Sequence, residues 1–342
     1  MRRIWLIVPL LLLLTMVIYW KGCARSRVFP EVYVSERSAT LWSSLAQVRE
    51  PVATLHYGEK VAVLERKGEQ VEIRTAEGVQ GWLESRLLMD PALWQRSAQL
   101  LVKTHAMPVQ ATGRTKVISN VRIEPGRAAA RIFQFSRTTS VEVFSRAAVE
   151  WSASTDEGQP AVREAAAEEE KPRREDWFLV RGRASSGVGP GGAAGTTGKE
   201  TEVTPIAGWV LARFVELDLP GPVRDYTSSA RVRVMAWFEL NRVPDPGGTK
   251  PQYLVAGVRG GEGQACDFTL MRVYTWGATR QRYETAYVEG NLCGFLPIRV
   301  GKAPGMGEPE FRFTALGKTG KEERVYRMRQ TVVRRVRGAE RQ

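Results

Sequence analysis

Few residues of this 342-residue chain have a type and spacing suited to chemistry. His56 and His105 are its only histidines, and neither lies in H-E-x-x-H or another metal-ligand spacing. No G-x-S-x-G and no P-loop sequence is present. Glu289 and Asp267 are isolated carboxylates, and no paired-carboxylate mechanism can be placed on them. Gly187-Val-Gly189-Pro-Gly191-Gly192 matches G-x-G-x-x-G, yet a dinucleotide site needs a helix N-terminus directly after the glycines. Here Ala-Ala-Gly195-Thr-Thr-Gly198 follows, with no apolar helical period. The expectation is a non-enzymatic chain with no cofactor and no metal.

The three cysteines point to a compartment instead. Arg2 and Arg3 precede an apolar run from Ile4 to Trp20, which ends at Lys21-Gly22-Cys23. A charged start followed by an apolar core is an export signal. Cys23 stands where a lipoprotein signal would place its lipidated cysteine, and Gly22 suits the position before it, but Trp20 and Lys21 fit poorly. The run of 17 residues sits at the short edge of what spans a hydrocarbon layer of ~30 Å. Two readings stay open for residues 1–25: cleavage before Cys23 with a lipid anchor, or an uncleaved single-pass anchor. Both put the remainder outside the cytoplasm, membrane-anchored on the periplasmic side of an envelope. Cys266 and Cys293 are then an even pair in an oxidising compartment, and a disulfide between them is expected.

The elements behind these residues read as all-β. Val61-Ala-Val63-Leu64-Glu-Arg66 is answered by Val141-Glu-Val143-Phe144-Ser-Arg146. Gly81-Trp82-Leu83-Glu-Ser-Arg86-Leu87-Leu88 is answered by Gly208-Trp209-Val210-Leu-Ala-Arg213-Phe214-Val215. Matched positions in the same order, twice, mark a duplicated domain spanning residues 32–90 and 114–219. The second copy is 47 residues longer between its matched valine and tryptophan. The surplus falls in a charged tract, 152–176, and a Gly/Ala/Ser/Thr-rich tract, 183–204, both expected to be disordered loops. Between the copies, in 91–113, Asp90-Pro91 opens a three-turn helix with Leu93, Trp94, Ala98, Leu101 and Val102 on one face.

The duplicated unit resembles the bacterial SH3-like family. The second copy carries Ser119-Asn-Val-Arg122-Ile-Glu-Pro125, Val141-Glu-Val143, Trp177-Phe-Leu-Val-Arg181 and Gly208-Trp209-Val210. The first keeps Gly58-Glu59-Lys60-Val61 and Gly78-Val-Gln-Gly81-Trp82-Leu83. It departs from the pattern at Trp42, where arginine is usual, and at Gln70, where the second copy has Trp177. The resemblance implies two small barrels joined by a short helix. It also implies a binding or scaffolding role towards peptidoglycan or an envelope protein partner.

A small barrel offers a shallow groove lined by aromatics. Trp42 and Tyr57 in copy one, and Phe133, Phe135, Trp151 and Trp177 in copy two, are the candidate lining. Trp82 and Trp209 are expected to fill the barrel cores. Residues 226–338 read as a third, β-rich domain of six or seven strands, a sandwich or a sheet closed on itself. Its last stretch, Lys321 to Gln342, has eight basic residues against three acidic ones and suggests a strand with a basic solvent face.

Two rival roles remain. The C-terminal domain could be an enzyme or small-ligand receptor with a pocket near Trp276, Tyr283 and Tyr287, or the whole chain could be a structural spacer. A net charge of +13 favours anionic partners, but nucleic acid fits an exported chain badly.

Overall fold

The computed structural model describes residues 29–151, 173–184 and 204–336. Cys23, the anchor segment and most of both insertions lie outside the described residues. The chain is mostly antiparallel β-structure, and among the described residues no helix is long and apolar enough to cross a membrane.

The first unit comprises β1 (Glu31–Val34), β2 (Ser38–Trp42), β3 (Pro51–His56), β4 (Lys60–Lys67), β5 (Gln70–Arg74), β6 (Gln80–Glu84) and β7 (Leu88–Met89). Their order in the sheet is β3-β2-β6-β5-β4-β1-β7. Period-2 alternation sends Val61, Val63, Val71 and Ile73 inward to pack with Val34, Leu41, Leu55 and Leu83. The curled sheet is joined where β2 crosses β6, with Trp42 opposite Trp82.

The second unit repeats this order strand for strand. It contains β8 (Ala111–Thr115), β9 (Ser119–Arg122), β10 (Arg131–Phe135), β11 (Ser140–Trp151), β12 (Arg173–Ala184), β13 (Thr204–Leu211) and β14 (Val215–Leu217). The sheet runs β10-β9-β13-β12-β11-β8-β14. Here Arg122 stands opposite Trp209, as Trp42 stands opposite Trp82. The repeated Gly-Trp step has a steric cause. A Cβ on Gly81 would sit 2.6 Å from the Trp42 carbonyl oxygen, and one on Gly208 would sit 2.4 Å from Val121 Cγ1.

The ribbon of β11 and β12 continues to the pair Trp151–Arg173, well past the end of its counterpart. The expected loops are shorter for that reason. Residues 173–176 are strand, with Glu175 and Asp176 buried, and Arg183, Ala184 and Thr204 are strand termini. Polar composition misled because these carboxylates are buried by ion pairing. Strand β8 also begins at Ala111, inside the stretch read as linker.

Helix α1 (Pro91–His105) is capped by Asp90, whose Oδ1 accepts the Leu93 N–H at 2.8 Å. It runs to 15 residues, about four turns. Its packed face differs from the apolar stripe: Leu93, Trp94, Ser97, Leu100, Leu101 and Thr104 face the protein, while Ala98 is exposed and Val102 is 67% exposed. Trp94 stacks on Tyr33 at 4.8 Å, and Tyr57 sits 5.7 Å from Trp94 and 5.0 Å from Phe133. The helix is therefore the shared seam of both barrels, reinforced by Arg131 pairing with Glu36 at 2.6 Å.

Tyr226, expected at the start of a β-region, lies in helix α2 (Gly221–Ser229). Eight strands follow, in two four-stranded meanders. One holds β15 (Val232–Asp245), β16 (Gly248–Arg259), β17 (Leu270–Gly277) and β18 (Arg282–Glu289). The other holds β19 (Gly294–Lys302), β20 (Pro309–Gly317), β21 (Gly320–Arg329) and β22 (Val332–Val336). Leu254, Met271 and Val273 of one sheet meet Ile298, Phe311, Phe313 and Tyr326 of the other in a single core. The architecture is a sandwich. Cys266 and Cys293 are joined by a disulfide, next to an isolated bridge between Phe268 and Gly294.

Buried polar groups fix the sandwich to the second barrel. Gln110, fully buried, accepts the Ile298 N–H at 2.7 Å and donates to the Ile298 carbonyl at 3.1 Å. Its own carbonyl accepts the Trp237 N–H at 3.0 Å. Arg146, with 1% of its side chain exposed, donates to Asp176 at 2.5 Å, to Asp267 at 3.0 Å, and to the carbonyls of Cys266 and Gln264.

Candidate functional site

The six aromatic candidates separate into three groups. Phe133 and Phe135 are 0% exposed and Trp177 is 2% exposed, so none of them lines a groove. Strand β10 is covered on both faces, because Tyr57 and α1 close the side that an isolated barrel would leave to water. Trp177 lies within the lengthened β11–β12 ribbon, opposite Ala147 and Leu211. Tyr57 belongs to the seam. Burial raises its phenol pKa above the ordinary value, against a hydrogen bond with Ser97.

Trp42 and Trp151 reach the surface, each half-buried beneath a guanidinium. Arg49 lies 4.5 Å from the Trp42 ring and Arg127 lies 4.4 Å from the Trp151 ring. Of the two tryptophans expected in the cores, Trp82 is buried beneath Lys67 at 5.0 Å and Trp209 is only half-buried. Neither is part of its barrel's apolar core cluster.

Around Trp151 the second barrel builds a charged frame that the sequence reading did not single out. Arg127 makes a two-pronged contact with Glu175, both bonds 2.9 Å long. Arg213 donates to Glu175 at 2.8 Å and to Glu262 at 3.3 Å. Burial would raise the Glu175 pKa, but the hydrogen bonds and charges of Arg127 and Arg213 outweigh it and hold the carboxylate below its ordinary value. Arg122 is pulled down by burial and then by the charges of Arg131 and Arg127. Arg213 was within reach of sequence reading, as it closes the G-W-aliphatic-x-x-R repeat. Its counterpart Arg86 pairs with Glu84. Such a face can stack a ring or an apolar side chain beside the indole, with the two guanidiniums held in place by Glu175.

The aromatic trio of the sandwich is split. Trp276 and Tyr283 lie 5.3 Å apart in a cluster with Tyr253, beside α2. Tyr287 turns into the inter-sheet core instead, 6.0 Å from Tyr326. Burial, followed by the charge of Tyr253, pushes Tyr283 to about 12; burial followed by the charge of Glu289 pushes Tyr287 to about 12. Glu289 accepts the hydroxyls of Tyr326 and Tyr287 at 2.7 and 3.0 Å and pairs with Arg324. Asp267 accepts the Leu296 N–H at 2.8 Å and pairs with Arg146. Among the described residues no group of side chains has the makings of a metal centre.

No family model matches the chain, and no curated protein matches it. Among solved structures it is similar to an NlpC/P60 family protein from Bacillus cereus ATCC 10987, at 12% identity and a TM-score of 0.21. That match covers 76% of this chain and 94% of the other. It is also similar to NlpC2 from Trichomonas vaginalis, at 8% identity and a TM-score of 0.17, covering 91% and 93% of the two chains.

Proposed function

We propose that this chain is a membrane-tethered, extracytoplasmic binding or scaffolding protein whose tandem barrels dock onto peptide-bearing cell-wall material. In this reading it carries out no chemistry of its own. The observation that carries it is the pair of surface tryptophans, one on each barrel, each lying under a guanidinium. Indole and guanidinium side by side suit a polymer that mixes apolar, ring and carboxylate groups. Two such faces on one chain gain by avidity if both reach the same polymer. The charged start, apolar run and Cys23 support the location.

The test is co-sedimentation of the full chain, held in detergent, with purified insoluble peptidoglycan at low and high salt. Salt-resistant binding that weakens about tenfold in Trp151→Ala or Trp42→Ala, and further in the double variant, supports the proposal. Binding that disappears with salt, or is indifferent to both variants, marks a basic protein meeting an anionic polymer. No binding at either salt redirects the search to a protein partner. Trp177→Ala would report on folding, since that side chain is buried.

A further inference from the structure

A cleft of about 1090 Å³ opens on the second barrel, with Arg37 of the first barrel at its edge. Arg37, in the β1–β2 turn, enters from the first barrel, and His105 enters from the last turn of α1. The second barrel supplies Arg137 from the β10–β11 turn, with Arg181 and Arg183 two residues apart on β12. Four arginines thus share one concavity.

Their charge is only partly balanced. Arg181 pairs with Glu142 at 2.7 Å, and Asp218 is taken by Arg114 at 2.8 Å. Among the described residues, Arg37, Arg137 and Arg183 have no carboxylate partner. The turn bearing Arg137 is held firmly. Thr138 has a φ of 63°, in a region that a β-branched residue rarely adopts. Thr115 fixes it: its carbonyl accepts the Thr138 N–H at 2.7 Å, and its Oγ1 accepts the Thr139 N–H at 3.0 Å. A strained residue persists where its surroundings over-determine it, as at preorganised sites.

We infer that this cleft is a site for an anionic sugar, one bearing a phosphate or carboxylate, built mainly by the second barrel and made composite by Arg37 of the first. Guanidinium forks match both oxyanions in a bidentate manner. The volume exceeds what one oxyanion fills and leaves room for the sugar. Serine and threonine hydroxyls of the same turn line the wall as partners for its hydroxyls.

The experiment is calorimetric titration of the full chain in detergent with glucose 6-phosphate, glucuronate, inorganic phosphate and glucose, at fixed ionic strength. Binding of glucose 6-phosphate or glucuronate, with glucose inert, is expected, and the tighter of the two identifies the oxyanion. Arg37→Ala, Arg137→Ala and Arg183→Ala should each weaken it about tenfold or more, and Arg183→Lys should recover part of the loss. Arg312→Ala, exposed on the sandwich and in neither binding face, should leave it unchanged. Unliganded melting temperatures confirm that the variants fold. Absence of binding to every anion overturns the inference, as does equal weakening by Arg312→Ala, which marks a diffuse field. Binding that ignores Arg37→Ala while Arg183→Ala abolishes it overturns the composite character.

Discussion

Arg146 holds two carboxylates that respond to it differently. Burial would raise the Asp176 pKa, but hydrogen bonds from Arg146 and the Gly263 N–H, with Arg233 at 2.5 Å, bring it below the ordinary aspartate value of 3.8. For Asp267 burial wins, and the pKa lies above that value despite the Leu296 N–H and Arg146. The signs follow. Asp176 contributes stability above the unfolded value and loses it as pH falls through its lower folded value. Asp267 contributes below the unfolded value and loses it as pH rises through its raised folded value. Asp176→Asn should therefore destabilise by about 3 kcal/mol at neutral pH, since it takes from a buried guanidinium one of its two carboxylates and leaves Arg233 without its own. It should also flatten the acid limb of the stability curve. Asp267→Asn should be milder and remove a decline above the ordinary carboxylate value. Urea denaturation at several pH values separates the two.

At the level of elements, the Gly-Trp step is the most exacting feature. Gly208→Ala would press a methyl group into Val121 and the Arg122 carbonyl, the latter 2.9 Å from the new carbon. A loss of about 1–3 kcal/mol or more is expected, measured as a lower urea midpoint with an unchanged slope. The same step made the duplication legible, because steric need at the β9–β13 crossing repeats at β2–β6. The faces of α1 and β10 were not legible. Thr104 is buried in α1 because its Oγ1 is satisfied at 2.7 Å by the Leu101 carbonyl, a possibility that apolar periodicity ignores. Phe133 and Phe135 resemble groove aromatics in sequence, but Tyr57 of the neighbouring barrel covers Phe133 and Phe135 packs inside its own barrel against Gly182.

Across the molecule, the mostly-β fold could be read from strand patterning, but the docking of its sheets could not. Gln110 and Ile298 are separated by 188 residues, and Arg146 and Asp267 by 121. Pairs that distant leave no local signature. The disulfide was legible, since Cys266 and Cys293 are an even pair once Cys23 is set aside. Reducing it should lower stability by roughly 3–4 kcal/mol on the chain-entropy argument for its separation of 27 residues. Calorimetry with and without reductant checks this. If the sandwich unfolds alone, its transition should separate from that of the barrels.

Gln110 also has a consequence for association. Strands β15 and β19 are the outer strands of the two sandwich sheets, and this one residue ties up hydrogen-bonding groups on both, at Trp237 and Ile298. The second barrel thereby acts as a stopper on two open sheet margins at once. A sandwich cut free of it would present those margins as templates for edge-to-edge pairing, which the docked barrel withholds.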